Sequence, residues 1–222
     1  MADAEIHFYF DPVCPFAWIT SKWVRTVQVQ RDYRVDWRFI SLRLLNSHLD
    51  YDTHFAPGYD GVHTAGLRLL RVAARTRAEQ GRDAVGRLYE ALGTQIFDAK
   101  AGDAPEGEAR GTRDFVEPVL TGLGLPATLA DALDDSSLDP EIQAETDEAL
   151  SLTGKDVGTP ILHFQPPAGV AFFGPVISRV PDEQQAAELW DHVIALARFP
   201  GFAELKRSLR EQPQLRALGH ED

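Results

Sequence analysis

Apolar positions along the chain recur with two periods, and the changes of period mark out the elements. Ile6, Phe8 and Phe10 alternate over a short run that ends at Asp11-Pro12-Val13, the period-2 pattern of a strand with one inward face. From Cys14 the spacing lengthens: Trp18, Ile19, Trp23 and Val24 or Val27 recur at helical steps. Tyr33 to Ile40 alternates again, with Tyr33, Val35, Trp37 and Phe39 turned inward and Arg34, Asp36 and Arg38 turned out. The opening segment therefore reads strand, turn, helix, strand.

A looser stretch from Asn46 to about Val62, rich in His, Asp, Tyr and Gly, precedes a long helical block. Leu67, Leu70, Ala73 and Ala74 form one apolar stripe, and Val85, Leu88, Tyr89, Leu92 and Ile96 a second. Lys100 to Arg113 carries Gly, Asp, Pro and Glu and predicts a mobile loop. Phe115 to Leu123 and Leu129 to Leu133 read as short helices, and Pro140 opens another, carrying Ile142, Ala149 and Leu150, that Gly154 ends. Ile161 to Phe164 and Val170 to Phe173 flank a Pro/Gly loop and predict a β-hairpin. Ala186, Leu189, Trp190, Val193, Ile194 and Ala197 make an amphipathic helix, and the tail from Pro200 is polar and mildly helical. The order βαβ, helical block, ββα predicts an α/β fold: one domain built from residues 1–60 and 156–222, interrupted by an all-helical insertion of residues 61–155.

Composition narrows the function classes. With 44% hydrophobic and 25% charged residues over 222 positions, the chain has the make-up of a soluble globular protein. A net charge of −12 repels a phosphate backbone and argues against nucleic acid as a partner. No apolar run approaches the roughly 20 residues that span a bilayer, and Met1 to Glu5 lacks the basic, then apolar, start of a signal peptide. The expected location is the cytoplasm, with no membrane partner. The single cysteine, Cys14, excludes a disulfide scaffold and a Cys-rich metal site. His48, His54 and His63 share the loose stretch but lack a carboxylate or cysteine at ligand spacing, so no metal is expected. Arg far outnumbers Lys, and Ala and Gly are abundant, a compositional pointer to a GC-rich, actinobacterial genome.

The candidate chemistry starts at Cys14, at the junction of the first strand and helix. Unpaired N–H groups and a partial positive charge at a helix N-terminus stabilise a thiolate, and such thiols reach pKa values of roughly 3.5–7.5. Pro15 fits the first helical turn, where its missing N–H costs nothing. A low-pKa, nucleophilic Cys14 is the expectation, against the alternative of a buried structural thiol. Val157-Gly158-Thr159-Pro160 stands just before the third strand; a cis-Pro160 there presents the backbone of Thr159 as a docking edge, whereas the plain alternative is a loop leading into a strand. Phe16 is expected to line the pocket and Trp18 to pack the core. Asn46 either reaches the pocket mouth or is a plain turn-forming residue, and Tyr51 and Tyr59 are candidates to donate a hydrogen bond to substrate.

Phe8-Tyr9-Phe10-Asp11-Pro12-Val13-Cys14-Pro15-Phe16-Ala17-Trp18, the helical insertion and Gly158-Thr159-Pro160 together resemble the thioredoxin-like DsbA family. The resemblance is closest to its cytosolic branch of mycothiol-dependent reductases, which is similar to kappa-class glutathione transferases and 2-hydroxychromene-2-carboxylate isomerases. It implies a thioredoxin-like fold (βαβ…ββα), Cys14 as catalytic residue, and Pro15, Phe16, Asn46, Tyr59, Thr159 and Pro160 around the substrate or thiol. It also implies nitro-compound or quinone reduction and a possible homodimer. Ala17 replaces the family's second cysteine, so a dithiol cycle cannot run here; were Ala17 an engineered replacement, the natural enzyme would be a dithiol one. What remains is a monothiol cycle with no tightly bound cofactor, in which mycothiol or glutathione, as cosubstrate, resolves Cys14 after attack on a disulfide or small electrophile. The alternatives are an isomerase or transferase in which the small thiol is itself the nucleophile, and a non-catalytic binding module.

Overall fold

The computed structural model describes residues 5–154, 157–208 and 211–220, so the expected boundary at residues 155 and 156 lies outside the described residues. Four strands, β1 (Ile6–Phe10), β2 (Val35–Phe39), β3 (Ile161–Phe164) and β4 (Val170–Phe173), form one sheet in the order β2-β1-β3-β4. β1 runs parallel to β2, which requires the crossover supplied by helix α1 (Pro15–Arg31), and antiparallel to β3. β3 and β4 form the hairpin expected from the sequence.

Strand alternation sends Ile6, Phe8, Phe10, Trp37 and Phe39 to one face, where Trp18, Ile19, Trp23 and Val27 of α1 bury them. Helix α8 (Glu183–Arg198) closes this layer with Ala186 and Trp190; Trp23 Nε1 donates to the Ala186 carbonyl at 2.9 Å. Between β2 and β3 lie α2 (Leu42–Leu45), α3 (Tyr51–His54), α4 (Tyr59–Gln80), α5 (Arg82–Gly93), α6 (Arg113–Gly122) and α7 (Asp139–Thr153). Tyr89 of α5 stacks on Phe10 with ring centroids 3.9 Å apart, tying the helical block to the sheet. Pro140 lies in the first turn of α7 and Gly154, at φ 95°, caps its end, as the sequence predicts.

The other sheet face departs from expectation. Asp36 and Arg38 do point away from the main core, but they are half-buried beneath α7 rather than free in solvent. Arg38 meets Glu148 at 2.6 Å and Glu145 at 3.1 Å, Arg77 of α4 meets Glu145 at 2.8 Å, and the Tyr9 hydroxyl donates to Glu148 at 2.9 Å. The partners are at least 68 residues apart in sequence, beyond the reach of local periodicity.

Three other segments differ too. Part of the stretch expected as a mobile loop forms a 3-10 helix, Gly107–Gly111, packed on α4; a Cβ at Gly111 would lie 2.8 Å from Ala65 Cα, so the approach needs glycine. The loose stretch in fact holds α3 and the start of α4; Asp50 caps α3 by accepting from Asp52 N–H. In the tail, Leu215 is buried and a 3-10 turn, Arg216–Leu218, replaces the expected helix. Among the described residues no helix is long and apolar enough to cross a membrane.

Burial, aided by the Arg38 guanidinium and opposed by Asp36, pulls the His7 ring down to about 4. Because this lies below the unfolded value of about 6.5, the neutral ring's contribution to stability is fully present above that pH and is lost as the pH falls toward 4. The urea midpoint is expected to drop less between these two pH values in His7→Gln than in the natural sequence; equal drops would contradict the assignment.

Candidate active site

Cys14 is the N-cap of α1, with extended φ/ψ, and Pro15 occupies the first turn. The turn that brings it there is built on Asp11. Cys14 N–H donates to the Asp11 carbonyl at 3.1 Å. Val13 N–H and Leu42 N–H donate to the two Asp11 carboxylate oxygens at 3.0 and 2.8 Å. One side chain thus shapes the β1–α1 turn and pins the start of α2 to it. Gly66 of α4 packs flush against the same carboxylate, since a Cβ there would lie 2.6 Å from Asp11 Oδ1.

Thr159 and Pro160 approach from the opposite end of the chain. Their peptide bond is cis. Thr159 Oγ1 donates to the Tyr9 carbonyl at 3.2 Å, and Gly174 N–H donates to the Pro160 carbonyl at 2.8 Å, so β1 and the end of β4 both hold the turn. Cys14 Sγ donates to the Thr159 carbonyl at 3.4 Å and accepts from Ala17 N–H at 3.5 Å.

The expectation of a low-pKa thiol is overturned in this resting arrangement. Burial pushes the Cys14 thiol up to about 12; the N–H groups of Ala17 and Phe16 pull it back and the Asp11 carboxylate pushes it further up. Cys14 is only 7% exposed. Its sulfur does meet a helix N-terminus, but loss of water costs the thiolate more than the two N–H groups return. Cys14 rests as a neutral S–H bonded to a carbonyl.

The remaining predicted positions divide. Pro15 and Phe16 sit next to the thiol, and Thr159 contacts it directly. Asn46 ends α2, where its side-chain amide donates to the Leu42 carbonyl at 2.8 Å; it steadies the segment that Asp11 grips. Tyr59 is 47% exposed at the start of α4, in a ring cluster with Phe55, Tyr51 and His63. Among the described residues neither Asn46 nor Tyr59 hydrogen-bonds Cys14. His63 is buried against the Tyr51 hydroxyl at 3.0 Å, and no group of three or more potential metal ligands exists among the described residues. A cavity of about 110 Å³ lined by Tyr51, Phe55, Pro57 and Asp60 does not include Cys14 or Thr159. Asp11 is the site residue that the sequence reading passes over as a strand breaker. Its signal is a lone charge between Phe10 and Val13 in an otherwise apolar run.

A cysteine capping the helix after the first strand, opposite a cis Thr–Pro turn, on this sheet with a helical block between β2 and β3, defines a thioredoxin-like fold with a helical insertion. The solved structures agree on the fold. A 2-hydroxychromene-2-carboxylate isomerase matches at 12% identity and TM-score 0.55, covering 87% of this chain and 96% of its own. The cytosolic disulfide reductase DsbM from Pseudomonas aeruginosa matches at 14% identity and TM-score 0.54, covering 86% and 99%. The chain belongs to the Rv2466c-like family, described as mycothiol-dependent nitroreductase Rv2466c, whose family model matches residues 13–207. It is also similar to the uncharacterized protein Rv2286c of Mycobacterium tuberculosis, 30% identical over 203 residues that cover 91% of this chain and 81% of the relative.

Because the resting thiol is neutral and covered, iodoacetamide is expected to label Cys14 at pH 7.5 at least about tenfold more slowly than free cysteine, whose pKa is about 8.5. Labelling should recover to the free rate in denaturant. Fast labelling of the folded protein would contradict the covered thiol.

Proposed function

We propose that this chain is a cytoplasmic, mycothiol-using oxidoreductase in which Cys14 is the sole protein nucleophile. Residues 1–60 and 156–222 serve as its thioredoxin-like unit and residues 61–155 as a helical insertion. The observation that carries the reading is the single thiol capping α1 and facing the Thr159 carbonyl in a member of a mycothiol-dependent family. The mycobacterial relative supports mycothiol over glutathione as the small thiol.

In the proposed cycle, a disulfide substrate enters between α1 and the Thr159–Pro160 turn and displaces the Sγ–carbonyl contact. The S–H proton leaves, and Cys14 Sγ attacks one substrate sulfur. That bond forms as the substrate S–S bond breaks, releasing one thiolate. A mycothiol thiolate then attacks the mixed disulfide, and a second completes the turnover, giving mycothiol disulfide, the second substrate thiol and free Cys14. Two mycothiols are oxidised and one disulfide is reduced, so the electrons balance without a second cysteine. Ala17, at the position a resolving thiol would take, leaves that task to the small thiol. The α1 N–H groups serve the sulfur as nucleophile and again as leaving group. Pro15 and Phe16 border the incoming group, the Thr159 backbone aligns it, and Asn46 and Tyr59 act at the rim.

The buried, protonated Cys14 favours one second reading: mycothiol is the nucleophile, as in an isomerase or transferase, and Cys14 S–H only donates to its sulfur. Substitution separates the two. With mycothiol disulfide, intact-mass analysis is expected to show one mycothiol adduct on the natural protein and none on Cys14→Ser. Mycothiol-driven disulfide reduction should fall by more than about 100-fold in that variant, the scale of losing a nucleophile. Activity retained in Cys14→Ser, with no adduct on the natural protein, would reject the monothiol cycle in favour of the second reading.

A further inference from the structure

A guanidinium that loses part of its hydration needs an acceptor in return. Elsewhere among the described residues a half-buried arginine meets a carboxylate, as Arg25 meets Glu90, Arg71 meets Asp139 and Arg77 meets Glu145. Arg110 does not. It lies near the end of the 3-10 helix Gly107–Gly111, half-buried, where its Nε donates to the Pro105 carbonyl at 3.0 Å. Its guanidinium carbon stands 5.7 Å from the centre of the Phe97 ring. Among the described residues it forms no ion pair. Asp98, the carboxylate next to Phe97, is held by Trp18 Nε1 at 3.2 Å and by Lys22 at 2.9 Å. Glu106 acts on Arg110 only from outside ion-pair distance, and the Glu108 side chain lies against Gly61 of α4. The two terminal amino groups of Arg110 therefore meet no acceptor among the described residues.

Packing ties Arg110 to the surroundings of the thiol on two sides. Gly111 packs against Ala65 of α4, and the next residue, Gly66, packs against Asp11 and Val13 of the turn before Cys14. On the other side the Phe97 ring stacks on Trp18 with centroids 6.4 Å apart, and Trp18 N–H donates to the Cys14 carbonyl at 3.0 Å. A ring beneath a guanidinium leaves the planar N–H fork free at its edge, and that fork fits a carboxylate with two parallel bonds. We propose that Arg110 sets the substrate class of the Cys14 site by pairing with a carboxylate on the incoming molecule, so that carboxylate-bearing disulfides are the preferred substrates. This rests on Cys14 being the nucleophile as proposed above. A chain of net charge −12 repels an anion that finds no such partner, so an unpaired guanidinium next to the site selects where the anion settles. In the step itself Cys14 Sγ bonds to one substrate sulfur as the substrate S–S bond breaks and the other half leaves as a thiolate. Cys14 is oxidised, the substrate is reduced, and the carboxylate is unchanged.

The test compares two aromatic disulfides as probes: dithiobis-nitrobenzoate, with a carboxylate on each ring, and dithiodipyridine, with none. Each releases an absorbing thiol when Cys14 attacks it. Arg110→Gln is expected to slow labelling by dithiobis-nitrobenzoate about tenfold or more, the scale of a hydrogen bond to a charged group. Labelling by dithiodipyridine should stay within about twofold, the usual reach of a substitution that removes no contact. Arg87→Gln removes an exposed charge from α5 and reports the long-range effect of charge alone. Equal slowing of both probes by Arg110→Gln, or the same loss in Arg87→Gln, would overturn the proposal. A second measurement uses the natural protein and no thiol chemistry: the NMR signal of Arg110 Nε–H titrated with benzoate and with benzamide. A saturable shift with benzoate alone supports the pairing, and no shift, or the same shift with both, would overturn it. Labelling by neither probe with benzoate still bound would keep the anion site and remove Cys14 as the nucleophile; labelling indifferent to Arg110, with no benzoate shift, would do the reverse.

Discussion

Cys14 lies between two backbone surfaces from opposite ends of the chain, and the rest of the structure is arranged so that they meet at its sulfur. One is the first turn of α1, whose N–H groups face Sγ; the other is the Thr159 carbonyl, 145 residues away in sequence. The pairing of β1 with β3 brings them together, because the loop leaving β1 and the turn entering β3 then stand at the same end of the sheet. Asp11 fixes the first surface through Val13, Cys14 and Leu42, and Tyr9 and Gly174 fix the second. Closing the two surfaces over the thiol excludes water, which is why a sulfur at a helix N-terminus rests protonated.

That balance sets the terms for function. A thiol capping a helix in water is favoured as an anion, whereas the same thiol sealed under a carbonyl and beside a carboxylate is not. The structure shows the covered state, with Thr159 over the sulfur and the helix N–H groups facing it from the other side. In the proposed cycle a substrate takes the place of the carbonyl contact, so reactivity depends on the arriving molecule. The ionic layer of Arg38, Glu145, Arg77 and Glu148 beneath the sheet takes no part in this; it anchors α7 and α4 to the far face.

The thioredoxin-like fold was legible in the sequence because its elements are signalled locally. Alternation marked β1 and β2, a Pro/Gly loop between apolar runs marked the β3–β4 hairpin, and Pro140 and Gly154 bracketed α7. Cys14-Pro15 at a strand-to-helix junction pointed to the thiol for the same reason. The thiol's protonation was not legible, because the Thr159 carbonyl and the packing that bury it belong to distant segments. Asp11 read as a strand breaker, since its partners, Leu42 and Gly66, lie thirty and more residues downstream. The half-buried Asp36 and Arg38 were misjudged on the same ground: alternation tells which face a residue takes, not whether another helix covers that face.

The most direct test of the account is a crystal structure of the protein after treatment with mycothiol disulfide. The expected result is continuous density from Cys14 Sγ into a mycothiol sulfur, with the Sγ–Thr159 carbonyl contact broken and the α1 N-terminus unmoved. A Cys14 still bonded to Thr159, with mycothiol seated elsewhere or absent, would contradict the central claim that this covered thiol is the one that reacts.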